Sequence, residues 1–363
     1  MIEKSTSRKK KSIAIVHNLS TGGSLRYMIE TNKIFSKNYT IKIFKPKDPL
    51  GHLRGIFKII NYLVYCYIYL PVYYLDLSVK LNRSAYVAVI VHHDTYIKAP
   101  TIFPTLKKRN VYIIHEPPRE FYEPISLHAP RLADKLITLL RLPIFVIDKF
   151  VAKSANIVIT NSKYSKKRVD QIYSINSKMI YPGLSKFFYR SKTKRLNQCL
   201  CVGSLLPYKG HNLAIDAISQ IEKHKPNLII VGSGRISEHK QLVLQSKRLK
   251  VNLNIIENPT DLELRHLYQT SKVYLNMAYQ EPFGLSAAEA LNSGCNLVTV
   301  NNCGTSELQN YCTDSVFVCE RNPKIISKSI IKALKNSKTI CPLSKYFSWE
   351  NTARGITNLI TDE

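Results

Sequence analysis

Acidic residues are scarce in this chain. Its 363 residues carry 25 Asp and Glu against 53 Lys and Arg, a formal net charge of +28. An excess of that size calls for an anionic partner: nucleic acid, an anionic membrane surface or an anionic small substrate. The basic residues are spread along the chain, with short runs at Arg8 to Lys11, Lys107 to Arg109 and Lys166 to Arg168. Neither zinc-finger spacing nor an RNA-binding aromatic motif accompanies them, so nucleic acid ranks last of the three.

Other signals are missing as well. The eight cysteines contain no Cys-x-x-Cys pair, and only Cys199 and Cys201 stand close together. This spacing holds no metal-ligand pattern, and the thiols are expected to be reduced and mostly buried. The opening MIEKSTSRKKK leads directly into an apolar strand without a signal-peptide core, an expectation of cytoplasmic residence. Low-complexity tracts are absent, as is any repeat beyond two α/β halves. The charge-free stretch Ile59 to Leu75 is rich in tyrosine and contains Pro71. It is at the short edge of a bilayer span and predicts a buried or interfacial helix instead. With Arg54 and Lys58 before it and Lys80 and Arg83 after it, two readings stand: core packing, or rest in a headgroup layer with peripheral contact to the membrane.

What is present is an α/β pattern laid down twice, as expected of a chain too long for one core. Strands are predicted at Ser12 to His17, Tyr86 to His92, Val111 to Ile114 and Ile157 to Thr160, then at Cys199 to Val202, Leu228 to Val231 and Val273 to Asn276. The first is followed by a turn containing Gly22 and Gly23, short of a full dinucleotide fingerprint. One long helix is predicted from Asp134 to Lys153, and Ser162 is placed to cap the helix after it. Ser185 to Leu196 is charged and irregular and is taken as the linker. The predicted fold class is α/β, with two doubly wound Rossmann-like domains facing a central cleft. The domains are predicted as 1–185 and 186–345, with 346–363 a closing helix.

The most informative stretch runs from Gln280 to Leu308. Glu281 lies in a loop beside Pro282 and Gly284, and Glu289 falls inside a helix predicted from Ser286 to Ser293 and ended by Gly294. The backbone N–H groups of Gly284, Leu285 and Ser286 sit where that helix begins and suit an anion such as phosphate. Two carboxylates then remain for hydroxyls, an arrangement suited to a sugar nucleotide. A surface loop followed by a core-facing helix is the plainer alternative. Upstream, the loop G-S-L-L-P-Y-K-G (Gly203 to Gly210) sets Lys209 at a helix start, where its charge opposes the dipole unless an anion is bound.

The residues E-P-F-G-L-S-A-A-E-A-L, then G-C-N-L-V-T and C-G-T-S-E-L, resemble the donor-binding segment of family 4 retaining glycosyltransferases, and the likeness extends over nearly the whole chain. The resemblance implies a GT-B fold, with 1–185 on the acceptor side, 186–345 holding the nucleotide sugar and 346–363 crossing back to the first domain, and a sugar transferred with retention from a UDP- or GDP-sugar to a glycan or lipid-linked acceptor, as in cell-envelope polysaccharide or glycolipid synthesis. It implies that Glu281 contacts the transferred sugar and Glu289 the ribose, with Phe283, Gly284 and Leu285 lining the pocket. Gly22 and Gly23 would lie against the donor phosphates, His115 would face the donor sugar and Lys209 would meet the diphosphate. Ser204 stands where the family often has an arginine; Arg235 is a candidate to restore the missing charge, with a surface arginine the preferred reading. Arg119, Glu120 and Glu123 fall on the acceptor side. No cofactor and no metal is expected, since the nucleotide sugar is a substrate. The rival readings are a non-catalytic relative that binds a sugar nucleotide or a membrane, and a basic nucleic-acid-binding protein.

Overall fold

In the computed structural model, which describes residues 10–47, 55–129, 131–337, 341 and 343–361, the strand-forming runs assemble into two six-stranded sheets in which every pairing is parallel. Arg54 and the start of the Arg8 to Lys11 run lie outside the described residues. The first sheet holds β1 (Ser12–Asn18), β2 (Thr40–Phe44), β3 (Ala88–Asp94), β4 (Asn110–Ile113), β5 (Ile157–Thr160) and β6 (Lys178–Met179) in the order β2-β1-β3-β4-β5-β6. The second holds β7 (Leu196–Val202), β8 (Asn227–Val231), β9 (Leu253–Ile256), β10 (Ser271–Asn276), β11 (Asn296–Val300) and β12 (Val316–Cys319) in the order β12-β11-β10-β7-β8-β9. Counted within its own half, the second sheet has the doubly wound order 3-2-1-4-5-6, while the first begins 2-1-3 like the other common doubly wound type. The predicted fold class is therefore observed.

Central strands are largely buried because helices cover both faces. Every residue of β3, AVIVHHD, is buried, as is every residue of β11, NLVTV. The expected strands lie within two or three residues of these positions, whereas β2, β6, β9, β11 and β12 have no counterpart among them. β2 and β9 are edge strands, largely exposed or half-buried, and do not show the apolar run that marks a central strand.

Two expectations need correction, and a third, the helix over Ile59 to Leu75, is extended. The helix predicted from Asp134 to Lys153 is two helices, Leu132–Leu140 and Leu142–Lys153, broken at Arg141. Pro143 lacks the N–H that would continue the ladder, so it is accepted only in the first turn of a new helix. The stretch Ile59 to Leu75 belongs to a longer helical run, Gly55–Val64, a π turn Tyr65–Tyr69, and Leu70–Asn82, in which Pro71 again opens the last segment. Six cysteines are free and buried, but Cys312 and Cys341 are joined in a disulfide with Cα atoms 5.5 Å apart. The fold brings that pair together across 29 residues, so their sequence spacing does not reveal it.

The last helix, Trp349–Thr361, packs on the first sheet. Its Trp349, Ala353, Ile356 and Ile360 are buried with Ile13, Ile15, Ile90 and Ile113 in one cluster. The Arg109 guanidinium also donates to the Leu359 carbonyl, at 2.8 Å from Nη2. Chain from beyond the second sheet thus seals the core of the first. Ile356 is fully buried, and Ile356→Ala is expected to lower stability by about 2–5 kcal/mol through lost burial and the cavity left behind. Urea unfolding of the variant against the parent measures this.

Candidate functional site

In open parallel sheets, ligands gather beyond the C-terminal strand ends where the winding direction reverses. Those points are β1/β3 in the first sheet and β7/β10 in the second, and the loops that leave them face one another. Between them lies a cavity of about 570 Å³ lined from the first half by Gly22, Gly23, Arg26, His115 and Arg119 and from the second by Ser204, Lys209, Glu281, Gly284 and Glu289. Every residue expected at the donor site borders this one cavity, Phe283 and Leu285 included, whereas Glu120, Glu123 and Arg235 do not.

Local geometry explains how each is held. Gly22 has φ +137 and Gly284 φ +81, values that strain any residue with a Cβ. At Gly284 a Cβ would also collide with the Thr305 side chain. Gly284 caps the helix Leu285–Asn292, one residue earlier than expected. The first intrahelical bonds are made by Ala287 and Ala288 to the Gly284 carbonyl, at 3.0 and 3.1 Å. The N–H groups of Leu285 and Ser286 precede them at the positive end of the dipole. Gly23 lies against this turn: a Cβ on it would touch Leu285 Cδ1 at 3.5 Å.

Both carboxylates are matched by cations. Glu289 is buried and pairs across the cleft with Arg26 at 2.7 Å, and Tyr268 Oη donates to it at 3.4 Å. Burial pushes the Glu289 carboxyl up to about 7, against the opposing pull of Arg26 and the Tyr268 hydroxyl. Glu281 pairs with Lys209 Nζ at 2.8 Å. Lys209 lies in a short turn, Pro207–Lys209, ahead of the helix His211–Ser219. Burial works against its charge, but Glu281 outweighs this and keeps the ammonium protonated. The cost of a cation at a helix start is thus met inside the protein, where the sequence suggested only a bound anion.

His115 follows β4 and is buried, with the Tyr27 ring edge-on at 5.0 Å and His93 at 5.1 Å. Its Nε2 has no hydrogen-bond partner. Burial lowers its pKa to about 4, with Lys98 acting in the same direction, so the imidazole is neutral near pH 7. Next to it, Arg119 bonds Glu123 at 3.0 Å, lies over the Tyr208 ring at 4.3 Å and donates to the Tyr279 carbonyl of the second half. Among the described residues, no group of three or more His, Cys, Asp or Glu is placed to hold a metal ion.

Several expected contacts are engaged elsewhere. Arg235 does not offset Ser204: it pairs with Asp134 at 3.2 Å, away from the cavity. The Phe283 ring packs near Tyr181 and Phe347, so it shapes the wall as part of a core. Glu123 is tied up by Arg119, Arg168 and His128, and Glu120 by Arg141. Glu307 accepts from the N–H groups of Lys163 and Tyr164, capping a first-half helix from the second half. The cavity's extra cation is Arg26, to which the sequence reading assigned no role. It is the arginine of the G-G-S-L-R turn, and Phe188 lies under its guanidinium at 5.1 Å.

Residues 185–354 match the family described as Glycosyl transferases group 1. Over 234 residues the chain is 26% identical to an uncharacterised glycosyltransferase of Methanocaldococcus jannaschii, covering 56% of this chain and 59% of that protein. The chain thus spans about 60% of the length of that protein and of a second uncharacterised glycosyltransferase of the same organism. Among solved structures it resembles sucrose-phosphate synthase of Thermosynechococcus elongatus, with a TM-score of 0.67 at 15% identity over 97% of this chain and 95% of that one. It also resembles HepE of Anabaena, solved with UDP and glucose, with a TM-score of 0.65 at 14% identity over 96% and 95%. The fold is GT-B, and residues 185–354 carry the likeness to the group 1 glycosyltransferases, in the half that holds the motif around Glu281 and Glu289.

The Arg26 pair is open to direct measurement. Arg26→Gln removes a charge that holds the Glu289 proton affinity down, so the Glu289 titration midpoint is expected to rise above its starting value of about 7. Carboxyl-detected NMR titration of parent and variant reads this shift, and an unchanged midpoint would show that the pair does not persist in solution.

Proposed function

We propose that this protein is a retaining glycosyltransferase that moves a sugar from a UDP- or GDP-sugar to a glycan or lipid-linked acceptor. One observation carries the reading: a single cavity gathers two carboxylates, Glu281 and Glu289, with three cations, Lys209, Arg26 and Arg119, beside the N-terminal turn of the helix Leu285–Asn292. Diphosphate requires cations and N–H donors, and sugar hydroxyls require acceptors. The likeness to HepE, which was solved with UDP and glucose, agrees with a nucleotide-sugar donor.

In the proposed reaction the bond from the anomeric carbon to the diphosphate oxygen breaks. The acceptor oxygen bonds to that carbon on the same face, and the acceptor's hydroxyl proton passes to the departing phosphate. Lys209, Arg119 and the turn at Gly284 stabilise charge on the leaving group, as preorganised donors do. Glu281 orients the sugar. Neutral His115, with Nε2 unpartnered, exchanges a hydrogen bond with a sugar hydroxyl. Ribose hydroxyls take Glu289, and for this Arg26 must share the carboxylate or swing to the phosphates. A relative that binds the nucleotide without transfer is the second reading, favoured by Ser204 where the family often has a cation.

The first test is a thermal-shift panel of UDP, GDP, ADP and their sugar conjugates on the parent and Glu289→Ala. A nucleotide at about 100 times its Kd stabilises the parent by about 2.7 kcal/mol. The shift is expected for UDP or GDP and to be largely lost in the variant; no shift with any nucleotide would refute the reading. Once a donor is found, Lys209→Ala is expected to lower turnover by roughly 10²–10³. Binding in the parent without turnover on any acceptor would favour the second reading.

Affinity should also depend on pH. The ionised carboxylate accepts hydroxyl bonds, and Glu289 titrates near 7, so protonation below that point opposes binding. Calorimetry is expected to show tighter nucleotide binding at about pH 8 than at about pH 6, by several-fold. Glu289→Gln should flatten this dependence.

A further inference from the structure

The helical run that begins at Gly55 is apolar on two faces. One face, with Tyr65, Cys66, Leu70, Tyr74, Leu77 and Leu81, is buried against the core of the first sheet. The other carries Phe57, Ile60, Val64, Ile68, Val72 and Leu75, all exposed, with Phe57 at 68%. Their spacing of three or four residues keeps them on one side. A step of four oversteps the 3.6-residue turn, and the wider π turn Tyr65–Tyr69 in the middle of the run corrects the drift.

A second stripe lies on the broken helix that touches this run. Leu132, Leu136, Leu139, Leu142, Val146 and Phe150 are exposed, Leu132 at 83% and Val146 at 71%. The opposite side, with Ile144, Val151 and Ala152, is buried in the same core. The two elements meet where Tyr67 Oη donates to the Leu140 carbonyl at 2.6 Å and the Arg141 guanidinium lies over the Tyr62 ring. Monomeric soluble proteins rarely expose apolar side chains in such continuous array.

Charge indicates what covers them. Lys80, Arg83, Lys135, Lys149 and Lys153 are exposed on or beside these elements. Among the described residues there, Asp148 is buried, Asp134 is paired with Arg235, and exposed Asp76 is paired with Lys80 at 2.6 Å. A second copy seated here would bring like charges together with few acids to meet them. Anionic headgroups would neutralise the cations while the apolar side chains enter the acyl boundary. No described helix is long and apolar enough to cross a membrane, and the run's inner face is already committed to the sheet.

We infer that these two stripes form one docking surface on which the chain lies against an anionic lipid bilayer. The surface is joined to the cleft: Arg141, between the stripes, pairs with Glu120 at 2.9 Å, in the segment that carries His115 and Arg119. An acceptor anchored in lipid therefore meets the cavity from the first-half side. The surface itself does not rest on the transferase reading, and its test uses no donor.

Flotation of the whole protein with vesicles of phosphatidylcholine alone, or of equal parts phosphatidylcholine and phosphatidylglycerol, tests the inference. The parent is expected to float with the anionic vesicles and at least tenfold less with the neutral ones. The exposed double variants Ile68→Ser/Val72→Ser and Leu136→Ser/Phe150→Ser are each expected to lose about tenfold or more, since each removes two apolar side chains from the bilayer. Unchanged thermal unfolding confirms that they remain folded. No flotation of the parent, or flotation undiminished in both variants, overturns the inference. So does light scattering that finds a dimer which the same variants turn into monomers. Failure of the nucleotide panel with vesicle binding intact would remove the transferase reading and leave this surface standing.

Discussion

Carboxylates enclosed in a closing cleft must be matched by cations, and most of this site follows from that requirement. Leaving one charge of a buried pair alone costs about 3–5 kcal/mol, more than most single contacts are worth. Arg26 answers Glu289 across the cleft and Lys209 answers Glu281 within one half. The first of these pairs draws the two sheets together. Around it, Ser162 donates to the Pro282 carbonyl at 2.6 Å and Glu307 caps a helix of the other half, so closure is supported by several polar contacts.

The same pairs prepare the site electrically. On the proposed reading, an anionic diphosphate enters this cavity by sharing cations that are already paired with carboxylates. The raised proton affinity of Glu289 and the lowered one of His115 both come mainly from burial, and both place the group's ordinary solution behaviour out of reach. Lys98 and Arg119 overcome burial at Glu116 and hold its carboxyl well below the usual range. The first-half wall is therefore a fixed array of neutral and paired groups.

The docking surface extends the same logic to the outside of the molecule. A helix that is apolar all round needs a partner on each side. Here the sheet supplies one, and the other side, exposed among cations, matches a bilayer in both polarity and charge. The cleft-lining segment from His115 to Glu123 ties the two regions together through Arg141 and Glu120.

What could be read in the sequence was local. Alternating apolar runs and glycine turns mark strands and the loops after them, because backbone geometry depends on near neighbours; within those loops, resemblance to a known family singled out Glu281, Glu289, Lys209, Gly22 and His115. Ser162 as a cap was legible from its near neighbours, and its oxygen accepts from Ser165 N–H at 2.9 Å. Partnership was not legible. That Arg26 meets Glu289, that Arg235 turns to Asp134, that Cys312 meets Cys341 and that the Phe283 ring belongs to a core all depend on residues far apart in the chain. Likewise, the charge-free stretch Ile59 to Leu75 marked a helix but not which of two apolar faces the sheet would take. Composition and local pattern determined the elements, the loop chemistry and the excess of positive charge; packing alone decided which charges pair, which rings are buried and which apolar face is left for a partner, because those energies exist only between surfaces that folding brings together.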